Sequence, residues 1–119
     1  MTVTGIDHVQ VAAPAGCESE ARAFYGGLLG LEELSKPAPL ASRGGCWFRA
    51  AAQQLHVGVE EPFTPARKAH PSFLVSDLDA LITRLTAAGI EVASDDLIPG
   101  VKRCQAADPF GNRLEFRQA

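Results

Sequence analysis

The sequence predicts an α+β fold built twice over from one order of elements: a strand, a helix, then three strands. Three observations carry that reading. The hydrophobic period changes from two to about 3.6 at two places along the chain. A stretch rich in proline and charge, residues 60–68, lies between the two copies. All three histidines and one glutamate fall at matching positions of the copies.

In the first copy, residues 6–13 alternate and are rich in β-branched side chains, so they form a strand that stops at Pro14. On it His8 shares a face with Ile6, Gln10 and Ala12. Residues 18–31 change period: Ala21, Phe24, Leu28 and Leu31 fall at helical spacing, with Gly16 and Ser19 as entry signals and Gly30 as the stop. Residues 31–34 make a short strand broken by Lys36-Pro37-Ala38-Pro39, and residues 45–50 and 54–59 make two more. The second copy repeats this. Residues 70–76 are its first strand, and Ser76-Asp77-Leu78-Asp79 has the form of a capping box with Ser76 as the cap. Leu78, Leu81, Ile82, Leu85 and Ala88 then form an apolar stripe that Gly89 ends. Residues 90–93, 101–106 and 113–116 supply the remaining strands. Asp108-Pro109-Phe110-Gly111-Asn112 is a turn cluster that closes a hairpin into the last of them. The modules are expected at about 4–60 and 69–118, joined by a linker at 61–68.

Composition excludes several classes of function. At 119 residues and 46% hydrophobic, the chain has enough apolar material for a core. A formal charge of −3 supplies no basic field, so neither nucleic acid nor an anionic membrane surface is expected as a partner. No apolar run reaches the length of a membrane span, and the first residues lack the basic and apolar regions of a signal peptide, so a cytoplasmic location is expected. Cys17, Cys46 and Cys104 are widely spaced and odd in number, which fits reduced, buried thiols without chemistry.

The repeat selects particular residues. His8 opens the first copy and His56 lies in its last strand; His70 and Glu115 hold the same places in the second. Leu55-His56 aligns with Leu114-Glu115. Three imidazoles and a carboxylate suit a divalent transition metal, with neutral nitrogen donors and one anionic oxygen. None of the four is near another in sequence, so they meet only if the two copies aim their end strands at a shared cavity. Among neighbouring residues, Arg67, Lys68, Lys102 and Arg103 read as solvated charges, and Tyr25, Trp47, Phe48 and Phe110 as packing residues.

The chain resembles the vicinal oxygen chelate superfamily, which includes glyoxalase I, fosfomycin-resistance thiol transferases, bleomycin-resistance proteins, methylmalonyl-CoA epimerase and extradiol dioxygenases. The resemblance rests on Asp7-His8-Val9, on Phe24-Tyr25 followed by Leu29-Gly30-Leu31, on Asp77-Leu78-Asp79, and on Asp108-Pro109-Phe110-Gly111-Asn112 before Leu114-Glu115-Phe116. It implies a single glyoxalase-like domain over residues 1–119, with two βαβββ modules curled around a metal-binding cup and the helices outside. It also implies one divalent ion per site (Fe, Ni, Zn, Mn or Co) held by His8, His56, His70 and Glu115, a small-molecule substrate and a homodimer. Bacterial glyoxalase I carries a carboxylate where this chain has His56. Extradiol dioxygenases resemble it through His8, His70 and Glu115, with His56 then standing back as an acid–base group. Fosfomycin-resistance enzymes resemble the His, His, Glu set, but the chain shows no clear counterpart of their phosphonate and potassium loops. The resulting expectation is an enzyme that chelates two substrate oxygens on the metal, a lyase or isomerase or a ring-cleaving dioxygenase, with Glu115 and His56 as catalytic groups. The alternative is a metal-free protein that sequesters a drug or metabolite, as bleomycin-resistance members do.

Overall fold

Alternating residues beginning at His8 form strand β1 (His8–Ala13), and Pro14, which has no amide to donate, ends it. The computed structural model describes residues 1–119 and divides into two compact units, Met1–Thr64 and Pro65–Ala119. In the first unit β1 is followed by a helix, α1 (Glu18–Ala21), that continues as a π-helix over Arg22–Leu28. Strand β2 (Glu32–Leu34), a short helix α2 (Ala38–Ala41), and strands β3 (Cys46–Ala50) and β4 (Gln53–Val59) complete it. The sheet order is β1-β4-β3-β2, with β1 parallel to β4 and the other pairs antiparallel. Phe24, Tyr25, Phe48, Leu55 and Val57 are at most 2% exposed and form its core. Each such side chain contributes roughly 1.5–3 kcal/mol by leaving water.

The second unit repeats the plan with β5 (Ser72–Val75), α3 (Leu78–Ala87), β6 (Ala93–Asp95), β7 (Arg103–Ala107) and β8 (Arg113–Gln118), in the order β5-β8-β7-β6. Again only the first strand, β5, runs parallel to its neighbour β8. Leu78, Leu85, Leu114 and Phe116 are buried, and the Phe116 ring lies 5.7 Å from that of Phe73. Gln118 fastens the end of β8 to the start of α3: its amide oxygen accepts from Leu78 N and its amide nitrogen donates to Ser76 O. The repeat extends to the thiols. Cys46 pairs with Val57 and Cys104 with Phe116, each one residue from the site pair of its unit, and both are buried and free.

Two turns position the site strands. Gly45 has φ 83°, and a Cβ there would stand 2.0 Å from the Val57 carbonyl oxygen, so only glycine fits before β3. Between β7 and β8 the Asp108 carboxylate accepts from Phe110 N, Asn112 N and the Asn112 amide, while the Asn112 side-chain oxygen accepts from Ala66 N. The expected hairpin is therefore locked at its tip and tied back to the residues that lead into β5.

Four expectations are corrected. The first helix is α-helical only to Ala21. Leu29 N donates to Phe24 O, five residues back, and the wider turn lets adjacent Phe24 and Tyr25 both bury while Gly26-Gly27 tolerates the change. His70 lies before its strand rather than in it, because Pro71 cannot donate to a ladder and β5 begins at Ser72. The strand expected at 90–93 is Ala93–Asp95. The cap of α3 is Asp77, whose carboxylate accepts from Ala80 N, in place of Ser76. Asp77→Ala should therefore cost about 1 kcal/mol in urea denaturation, whereas Ser76→Ala should shift stability by less than about 0.5 kcal/mol.

Candidate functional site

In the first unit, sheet register sets three aromatic rings side by side. Trp47 on β3 pairs directly with His56 on β4, and His56 is in turn level with Gln10 on β1, two residues from His8. The Trp47 and His56 rings stack at 4.0 Å with planes 3° apart, and His8 stacks on the other side of His56 at 4.1 Å and 15°. His56 is 4% exposed. Burial first, then the neighbouring His8, pushes its pKa below the ordinary 6.5, so the ring is neutral near pH 7. Its Nε2 donates to the Gln54 side-chain oxygen at 2.8 Å, which leaves the lone pair on Nδ1. His8 Nδ1 donates to the Asp7 carboxylate at 2.9 Å.

The second unit carries a buried carboxylate. Glu115 is 5% exposed, in contrast to the solvated edge residue that Arg113-Leu114-Glu115-Phe116-Arg117 resembles as a bare alternation. Ser72 Oγ donates to Oε2 at 2.7 Å, and Arg103 Nη1 donates to Oε1 at 2.8 Å. The Ser72 hydrogen bond, and then the charges of Arg103, His70 and Arg117, hold Glu115 below the usual carboxylate range against the desolvation that opposes them. Arg103 is itself shared, since its Nη2 lies 3.0 Å from Asp95 Oδ2. Gln105, level with Glu115 on β7, donates to the same Asp95 oxygen and accepts from Arg113 Nε. His70 Nδ1 donates to the Lys68 carbonyl at 2.8 Å, and its Nε2 faces Glu115 Oε1 at 3.7 Å.

The donor types, imidazole nitrogen and carboxylate oxygen, are those a divalent cation takes. The Lys68 carbonyl and the Asp7 carboxylate engage Nδ1 of His70 and His8, as outer partners of metal-binding imidazoles do, so Nε2 is the nitrogen each ring would offer an ion. His70 Nε2 and Glu115 Oε1 thus lie side by side, beyond direct hydrogen-bond distance of each other. The stack sets a condition on His56. Lone pairs of parallel rings lie in separate planes, so His8 and His56 as stacked do not both point at one ion. Neither unit alone gathers three or more His, Cys, Asp or Glu side chains into a metal-holding cluster: His8 and His56 stand in one unit, His70 and Glu115 in the other.

Sequence reasoning assigned Trp47 to packing and Arg103 to solvent, and it gave no role to Ser72, Gln105 or Gln54. The register could have found them, since Trp47 and Gln105 are the cross-strand partners of His56 and Glu115. Tyr25 and Phe48 are fully buried packing residues as expected, and Lys102 pairs with Asp79 at the surface.

Two outcomes follow from these contacts. Trp47 is the sole tryptophan, so its fluorescence reports the ring it stacks on. Acid quenching of that emission should have its midpoint below 6.5 and vanish in His56→Gln. Because the folded pKa of His56 is depressed, its contribution to stability is complete above 6.5 and is lost as pH falls. Arg103→Met strips the guanidinium from a buried carboxylate and should lower unfolding free energy by about 3 kcal/mol in urea titration.

Comparison with known proteins agrees with this architecture. The family model described as Glyoxalase/Bleomycin resistance protein/Dioxygenase superfamily matches residues 5–116. A glyoxalase family protein from Bacillus anthracis is 53% identical, with a TM-score of 0.95 over 99% of this chain and 97% of its own. Lactoylglutathione lyase from Agrobacterium tumefaciens shares the fold at 21% identity and a TM-score of 0.77, covering 100% and 96% of the two chains. TnmS3, an antibiotic binding protein from Streptomyces sp. CB03234, shares it at 22% and 0.76, covering 99% and 98%. No curated protein matches the sequence. The chain thus belongs to the glyoxalase/bleomycin resistance protein/dioxygenase superfamily, the vicinal oxygen chelate group.

Proposed function

We propose that the protein is a metal-dependent enzyme of the glyoxalase or dioxygenase type, a lyase or isomerase or a ring-cleaving dioxygenase, acting on a small molecule with two adjacent oxygens. His8, His70 and Glu115 hold one divalent ion (Fe, Ni, Zn, Mn or Co). The observation that carries this reading is His70, whose Nδ1 is engaged by the Lys68 carbonyl while its Nε2 lies 3.7 Å from Oε1 of the ionised Glu115, so that two of the expected ligands stand side by side. When bound, the ion supplies a Lewis acid that polarises the two substrate oxygens.

The chain's own groups divide the remaining work. Ser72 and Arg103 keep Glu115 charged and oriented, which suits it to hold a cation and makes it a weak base. His56 is the better proton acceptor near neutral pH, being neutral, with Trp47 fixing one face of its ring and Gln54 its tautomer. Of the two expected catalytic groups, His56 moves the proton and Glu115 holds the ion. The ligand set needs both kinds of unit, and a homodimer supplies each twice.

A second reading draws on one observation: Arg103 already neutralises Glu115 without any metal. That suits a sequestering protein, and TnmS3 is an antibiotic binding protein of the same fold. Elemental analysis of protein purified without chelators separates the two. The enzyme reading expects near one transition metal per chain, lost in a His8→Ala/Glu115→Ala double variant. His56→Gln should keep the metal yet lower turnover of a responsive hemithioacetal or catechol roughly 100-fold. A metal-free protein that takes up none on titration overturns it in favour of sequestration.

A further inference from the structure

Resting on that reading, we infer that the substrate carries an oxyanion, a carboxylate or a phosphate, that Arg113 binds beside the chelated oxygens. Arg113, Glu115 and Arg117 share one face of β8, opposite to the buried Leu114 and Phe116. Two residues along a strand separate Arg113 from Glu115, about 7 Å. The same face carries Arg103 and Asp95. Three guanidinium groups thus stand against two carboxylates, and both carboxylates are taken: Glu115 by Arg103 with Arg117 at 3.7 Å, Asp95 by Arg103 and Gln105.

Arg113 is the cation left over. Its Nε donates to the Gln105 side-chain oxygen at 2.8 Å, and no carboxylate lies within ion-pair distance of it. Gln105 is held in turn, because its amide nitrogen donates to Asp95. A half-buried guanidinium braced through Nε by a neutral partner keeps its two Nη groups for another acceptor, and such a pair of groups takes a planar or tetrahedral oxyanion with two hydrogen bonds. The ligand this describes has two vicinal oxygens at one end and a negative charge one ring's width away.

Calorimetric titration of the full chain as purified tests the assignment, with catechol, 3,4-dihydroxybenzoate and inorganic phosphate as probes. The dihydroxybenzoate should bind roughly ten-fold more tightly than catechol; Arg113→Gln should abolish that advantage and leave catechol affinity unchanged, and Arg113→Lys should restore part of it. Equal affinity of the two diols in the wild type, or an advantage that survives Arg113→Gln, overturns the inference. Where neither diol binds, phosphate binding that Arg113→Gln weakens roughly ten-fold still supports the oxyanion site. Failure of both diols with phosphate bound sinks the chelation reading alone, and phosphate affinity indifferent to Arg113 sinks the oxyanion site. Between the two sources, a dihydroxybenzoate tighter than phosphate assigns the site to carboxylates, and the reverse to phosphate esters.

Discussion

A carboxylate that is 5% exposed must be met by donors, and the second unit is arranged around meeting Glu115. The parallel pairing of β5 with β8 sets Ser72 level with it, and the antiparallel pairing of β7 with β8 sets Gln105 on its other side. Arg103 reaches the same oxygen that faces His70 and continues to Asp95, so one guanidinium joins two strands' worth of acid. A slip of one residue in either pairing would turn Glu115 into the core occupied by Leu114 and Phe116. The Asp108–Asn112 turn fixes that register at the point where β8 begins.

The first unit uses the same scaffold for the opposite chemistry. Where the second unit sets an amide beside a carboxylate, the first sets an indole beside an imidazole. Burial and the neighbouring His8 keep His56 uncharged, as a hydroxyl and ion pairing keep Glu115 charged. Two groups that titrate within a few units of each other in water are pushed toward different roles by their surroundings alone.

Much of this was legible in the sequence, for identifiable reasons. The period changes, the Pro14 stop and the Asp108–Asn112 turn are local signals, and they located the repeat and, through it, the four candidate residues. Pro71 and Asp77 shifted boundaries by the width of a single residue's preference. What the sequence withheld is what depends on register. Trp47 and Arg103 look like core and surface by type, and only the cross-strand pairing puts the first against His56 and the second against Glu115. The π-turn at Arg22–Leu28 escaped for a related reason, since the apolar spacing of Phe24 and Leu28 fits an ordinary helix while the burial of Tyr25 does not.

Gly45 and Arg103 stand at the same step of the two copies, each immediately before the buried cysteine of its strand. The first position admits no side chain at all, because a Cβ would meet the Val57 carbonyl at 2.0 Å. The first copy therefore cannot acquire the guanidinium that the second depends on, whatever is changed around it. The two copies are thus not interchangeable at the level of the main chain: a carboxylate put at position 56 would stand buried without the cation that Glu115 has.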